Sequence, residues 1–109
     1  MKAIPRILVP GKGYVTCEPE EATHLTINMP GPSGVLTIPV QIKGTRAGTG
    51  NWTWNGSTEA PDLKPSLRTR MGRNGSIICH SWINDGRAQF LPDSTHDLAG
   101  QTLDLLDCE

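Results

Sequence analysis

Ser76–Leu91 reads S-I-I-C-H-S-W-I-N-D-G-R-A-Q-F-L. Two runs rich in β-formers and alternating in polarity flank Asn84-Asp85-Gly86. That triplet is hairpin-turn chemistry, because Gly86 is free to take positive φ. The stretch therefore predicts an antiparallel hairpin, with Ser76–Ile83 going out and Arg87–Leu91 coming back. The rest of the chain supports the same class. Twelve glycines and nine prolines interrupt its 109 residues every few positions, which leaves no room for long helices.

Working outward, H-L-T-I-N-M at His24–Met29 puts Leu25, Ile27 and Met29 on one face of a strand. Val35–Ile42 alternates likewise. Its Pro39 lacks an N–H, so the strand should lie at an edge or bend there. N-W-T-W-N at Asn51–Asn55 places Trp52 and Trp54 on a common face. Tyr14–Cys17, Ser66–Arg70 and Thr102–Leu106 read as further short strands. Gly44–Asn51 reads as a polar, glycine-rich loop, and Glu59–Pro65, with two prolines, as extended or looped chain. After the hairpin, Asp93 or Ser94 can cap a single helical turn that ends at Gly100. The expectation is a mainly β, small, single-domain antiparallel sheet over residues 1–109, with one short helical turn.

Composition narrows the function classes. Hydrophobic residues make up 36% of the chain and aromatics 5%. A core this lean must use its largest apolar side chains, Trp52, Trp54 and Trp82 among them. Net charge is −1, and the only basic cluster, Lys64, Arg68, Arg70 and Arg73, reads as a solvated face. Nucleic-acid binders need a stronger basic surface, so no nucleic-acid partner is expected. Met1–Pro10 is too short and broken for a signal peptide or a membrane span. Three cysteines, an odd number, argue against a disulfide framework, and a reducing cytoplasmic setting is the default. Oligomeric state is not encoded in any feature of the chain.

The chemistry-bearing residues gather between Cys79 and His96. Cys79 and His80 are adjacent, so a regular strand sends them to opposite faces, and they share a metal only if a bulge re-aims one. Spacing alone favours a buried core Cys79. Asp93 and His96 are three apart across the expected cap, where local evidence reads Asp93 as an N-cap and His96 as solvated. The hairpin, however, returns the chain from His80 to the neighbourhood of Asp93. His80, Asp93 and His96 can then meet at one end of the sheet, as an acid–base or a metal site. His24, at a strand start, could join them, though nothing ties it there. Ser66, after Pro65, needs a base to act as a nucleophile, and His80 can serve if their strands are neighbours. Ser94 is a weaker alternative.

Trp52–Leu67 (W-T-W-N-G-S-T-E-A-P-D-L-K-P-S-L) and Cys79–Leu105 resemble a family of small uncharacterised phage and bacterial proteins, some mislabelled as ammonia monooxygenase. More distant relatives lie beside ubiquitin-like conjugation genes. The resemblance implies a peptidase that matures or removes a ubiquitin-like protein. Many members carry a C-P-x-C pair, like half of a zinc site. Here the matching stretch is Met29-Pro30-Gly31-Pro32, without either thiol, so no family-like zinc and no other cofactor is expected.

Three readings follow. The first is a serine-type hydrolase or peptidase acting on a protein tail such as that of a ubiquitin-like protein. Ser66 is its nucleophile and His80 its base, Asp93 (or, second, Glu59) orients the imidazole, and His96 supports the site. The second is a metal site, with zinc the first choice, built from Cys79, His80, His96 and Asp93. The third is a non-enzymatic phage or bacterial binding module that uses an exposed tryptophan face and the glycine-rich loop.

Overall fold

The computed structural model describes residues 1–42 and 52–108. The loop expected at 44–51 lies outside the described residues. Nine strands are formed among them: β1 (Ala3–Val9), β2 (Gly13–Thr16), β3 (His24–Asn28), β4 (Val35–Ile42), β5 (Trp52–Trp54), β6 (Leu63–Met71), β7 (Ile77–Asn84), β8 (Arg87–Phe90) and β9 (Thr102–Asp104). They join in one sheet of order β2-β1-β3-β4-β5-β6-β7-β8-β9. Every pairing is antiparallel except β4 with β5. No described helix is long and apolar enough to cross a membrane.

The hairpin forms as its sequence predicts. Ser81 pairs with Phe90 and Asn84 with Arg87. Asp85 (φ 51°) and Gly86 (φ 72°) are both left-handed, which matches the right-handed twist of the strands they join. Space there is tight as well, since a Cβ on residue 86 would stand 3.2 Å from the Glu59 carbonyl oxygen and 3.3 Å from Ala60 Cα, so that main chain would have to give by a few tenths of an ångström.

Pro39 marks a change of partner. Val35 to Pro39 pair with β3, and Val40 to Ile42 pair with β5. The missing N–H of Pro39 falls where the strand leaves one neighbour for the next, so no ladder bond is lost. The sheet curls round one core. Leu25, Ile27 and Met29 from the first strands meet Trp54, Leu63, Leu67, Cys79, Ile83 and Phe90 from the later ones. Asn28, the last residue of β3, forms an isolated bridge with Leu106, which ties β3 to the chain just beyond β9.

Two local expectations change. Strand β1, across Pro5, was not expected from the sequence. The residues expected to form a capped helical turn, 93–100, form successive turns instead. Ala99 N–H bonds the His96 carbonyl and Gln101 N–H the Leu98 carbonyl. The short helical turns lie at Pro19–Glu21 and Arg73–Gly75.

Trp52 and Trp54 share a face, as their spacing requires. Trp54 is fully buried and Trp52 half-buried. The exposed tryptophan face of the binding-module reading is therefore not built from this pair. The Trp54 indole N–H also bonds the Ser57 carbonyl at 2.9 Å. Trp54→Ala is expected to cost about 3–5 kcal/mol in denaturant unfolding. A loss below about 1 kcal/mol would mean that the core does not depend on this ring.

Candidate active site

The ladder between β6 and β7 explains how Ser66 and His80 meet. Leu67 pairs with Ser81 and Arg68 with His80, but the next pair is Leu63 with Ile83. Lys64, Pro65 and Ser66 thus stand opposite Trp82 alone. Such a bulge bends its strand and re-aims the side chains it carries. Ser66, two residues from Arg68, is the diagonal neighbour of His80 on the same face, within reach of a long side chain. On β7 the core face carries Cys79, Ser81 and Ile83, all buried, while Trp82 and Asn84 are exposed. His80, half-buried, belongs to the outer face with them.

A hydrogen-bonded chain results. Ser66 Oγ lies 2.9 Å from His80 Nε2. His80 Nδ1 lies 3.0 Å from Asp93 Oδ2 and 3.2 Å from Oδ1. An ionised carboxylate only accepts, so Nδ1 carries the proton and donates to Asp93. Nε2 then presents its lone pair and accepts from the Ser66 hydroxyl. The bond from His80 holds the Asp93 carboxyl below its ordinary value, and the nearby charge of Arg68 pushes the same way.

Asp93 reaches the imidazole because residues 91–95 take over the edge of β7 where β8 ends. Leu91 N–H bonds the His80 carbonyl at 2.8 Å, and Thr95 N–H bonds the Ile78 carbonyl at 2.9 Å. Ser94 completes the attachment. Its hydroxyl accepts from His80 N–H and donates to the His80 carbonyl, both at 3.0 Å. Ser94 is thus neither a helix cap nor placed as a nucleophile, because its hydroxyl is buried against the main chain of His80. The Trp52 indole N–H bonds the Ser66 carbonyl at 3.3 Å. Neither role is readable from sequence, since each depends on which strands become neighbours. Ser94→Ala leaves the His80 N–H without its partner, while the His80 carbonyl keeps the Leu91 N–H. We expect it to destabilise by about 1–3 kcal/mol in denaturant unfolding. An unchanged midpoint would show that water replaces the hydroxyl freely.

His96, expected to support the site, is engaged elsewhere. Its Nδ1 accepts from Leu98 N–H at 3.2 Å, and its ring packs edge-on against Phe90 with centroids 4.9 Å apart. His24 bonds the Thr23 hydroxyl and packs against Tyr14. Asp93, not Glu59, is the carboxylate hydrogen-bonded to His80.

The set Cys79, His80, His96 and Asp93 does not converge. Cys79 is buried on the core face. Among the described residues no three His, Cys, Asp or Glu side chains are grouped to hold a metal ion. Met29, at the first of the two positions where the resembling family carries thiols, is buried in the core.

An imidazole between a hydroxyl and a carboxylate can take the hydroxyl proton while the carboxylate stabilises the resulting imidazolium. The chain's relationships agree with that chemistry. Residues 1–91 match the family described as bacterial ubiquitination-like system serine protease (BubE). The match takes in Ser66 and His80 and stops two residues before Asp93. No curated protein and no solved structure matches the chain. A match over most of its length makes this chain a member of the bacterial ubiquitination-like system serine protease family.

Proposed function

We propose that the protein is a serine peptidase that cuts the tail of a ubiquitin-like protein, with Ser66 as nucleophile, His80 as general base and acid, and Asp93 as the group that orients the imidazole. The observation that carries this reading is the unbroken chain from Ser66 through His80 to Asp93, with both contacts within hydrogen-bond distance. Family membership supports the reaction class and the ubiquitination-like context.

In this scheme His80 Nε2 takes the proton from Ser66 Oγ as Oγ bonds to the scissile carbonyl carbon. Asp93 stabilises the imidazolium without taking the proton. The imidazolium then protonates the leaving nitrogen, the C–N bond breaks, and an ester to Ser66 remains. Water, deprotonated by the same Nε2, attacks that ester and frees the new carboxyl terminus and the serine. Nucleophile, base and orienting group are all side chains of this chain, so the scheme routes no step through a cofactor. The site lies on the outer face of a sheet, with Asp93 59% exposed. A protruding tail can lie along such a face.

A fluorophosphonate probe tests the nucleophile directly, because it phosphonylates a serine only where a base activates it. Mass spectrometry should find one adduct, on Ser66. An adduct on another serine, or none, would overturn the assignment.

A further inference from the structure

Strand β6 carries two cationic side chains beyond the nucleophile. Ser66, Arg68 and Arg70 alternate along it and share its outer face, where both arginines are exposed. A two-residue step along a strand spans about 7 Å, so Arg68 stands one step from Ser66 and Arg70 two. Across the ladder they face His80 and Ile78, neither of which offers a negative charge. The fold makes little use of these two cations. By contrast, Arg6 bonds the Thr16 and Thr26 hydroxyls, and Arg87 pairs with Asp104 at 3.2 Å. Among the described residues no hydrogen bond or ion pair holds the guanidinium of Arg68 or Arg70, and Arg68 feels the Asp93 charge only at longer range. The sequence from 43 to 51, K-G-T-R-A-G-T-G-N, adds two cations and no carboxylate. Two like charges so placed repel, and a carboxylate brought between them is attracted to both.

We propose that Arg68 and Arg70 bind a carboxylate side chain of the substrate, so that the peptidase cuts beside an Asp or Glu about two to four residues from the scissile bond. The inference rests on the peptidase reading of Ser66. The occupant is an acidic segment of a protein tail. An extended tail advances about 3.3 Å per residue, which brings Arg68 level with a position about two residues from the bond and Arg70 with one about four residues away. A guanidinium fork matches a carboxylate through two parallel N–H···O bonds. A lysine or arginine at those positions is repelled, which adds discrimination to the attraction.

The test digests a mixed-sequence peptide library with the wild-type protein and reads the cut sites by mass spectrometry. Asp and Glu should be enriched about fivefold within about four residues of the cut, the scale of one exposed ion pair, and Lys and Arg depleted. Two matched peptides, with Glu or Lys at the enriched position, then give a ratio of kcat/KM. Arg68→Glu combined with Arg70→Glu should invert that ratio, a change of about 25-fold, and the ratio cancels any effect of Arg68 on Asp93. Raising the salt to about 1 M should shrink the wild-type ratio. Cuts without an acidic preference, or a ratio that the double variant leaves unchanged, would overturn the carboxylate proposal and leave the peptidase reading standing. So would a library left uncut by a protein whose Ser66 takes the phosphonate, because recognition would then lie beyond the neighbouring residues. No cleavage, together with no phosphonate adduct on Ser66, would overturn both.

Discussion

Ser66→Ala is expected to lower cleavage of a ubiquitin-like precursor by about 10⁴- to 10⁶-fold in kcat, the scale on which removal of an activated serine acts in such triads. The same change should barely touch the fold. The Ser66 side chain is half-buried and makes one hydrogen bond, to His80. Its loss is worth about 1 kcal/mol, which displaces the melting temperature by a few degrees in a domain of this size. That disparity separates a nucleophile from a structural serine. Combining Ser66→Ala with His80→Ala should cost no more activity than either alone, because the two groups act as a unit. Cleavage within about tenfold of wild type would remove Ser66 from the mechanism.

Asp93→Asn is the second large effect. An amide can donate to Nδ1, which favours the tautomer with its proton on Nε2 and leaves Ser66 without a base. A fully enclosed triad loses about 10⁴-fold in kcat by this route. Two considerations set the size here. Asp93 is 59% exposed and the His80 side chain 22%, so solvent screens the carboxylate–imidazolium attraction. The tautomer effect needs no burial and stays. We expect a loss of about 10²- to 10⁴-fold in kcat with KM little changed. A loss confined to KM would contradict the orienting role. Acid should act in the same direction. The Asp93 carboxyl is held below its ordinary value by the bond from His80. Its contribution to stability is present above the ordinary carboxylate range and is lost as pH falls through the lowered one.

The hairpin was legible because its evidence is local. Alternation in Ile77–Asn84 and the Asp85-Gly86 turn are properties of adjacent residues. The meeting of Ser66, His80 and Asp93 was half legible. The hairpin alone brings His80 towards Asp93, whereas the approach of Ser66 depends on β6 being the neighbour of β7 and on a bulge at Lys64 to Ser66. Pro65 fits a strand edge and a bulge equally, so it does not say which of the two is formed or which strand becomes the neighbour. Residues 93–100 were misread as a capped helical turn because Asp and Ser are good caps wherever no stronger partner exists. Here the imidazole takes Asp93 and the main chain of His80 takes Ser94. Strand β1 was missed because Pro5 and Pro10 hide its alternation.

The tie between β3 and the chain beyond β9 is reinforced by the residues just before β1, with a kinetic consequence. Lys2 Nζ donates to the Leu105 carbonyl at 2.7 Å, and Cys108 N–H bonds the Met1 carbonyl at 2.9 Å. Those contacts join residues 103 and 107 positions apart, nearly the full length of the chain. The hairpins from β6 to β9 can form early, because their loops are short and cost little entropy to close. Closure between the ends comes last, after the entropy of the whole intervening loop has been lost, and topologies with such distant contacts fold slowly. Residues 91–95 lie on the late-emerging side of that closure, so during synthesis Ser66 and His80 leave the ribosome before Asp93 does. On this topology the hydroxyl and the imidazole are both made before the carboxylate that sets the imidazole's tautomer is in reach.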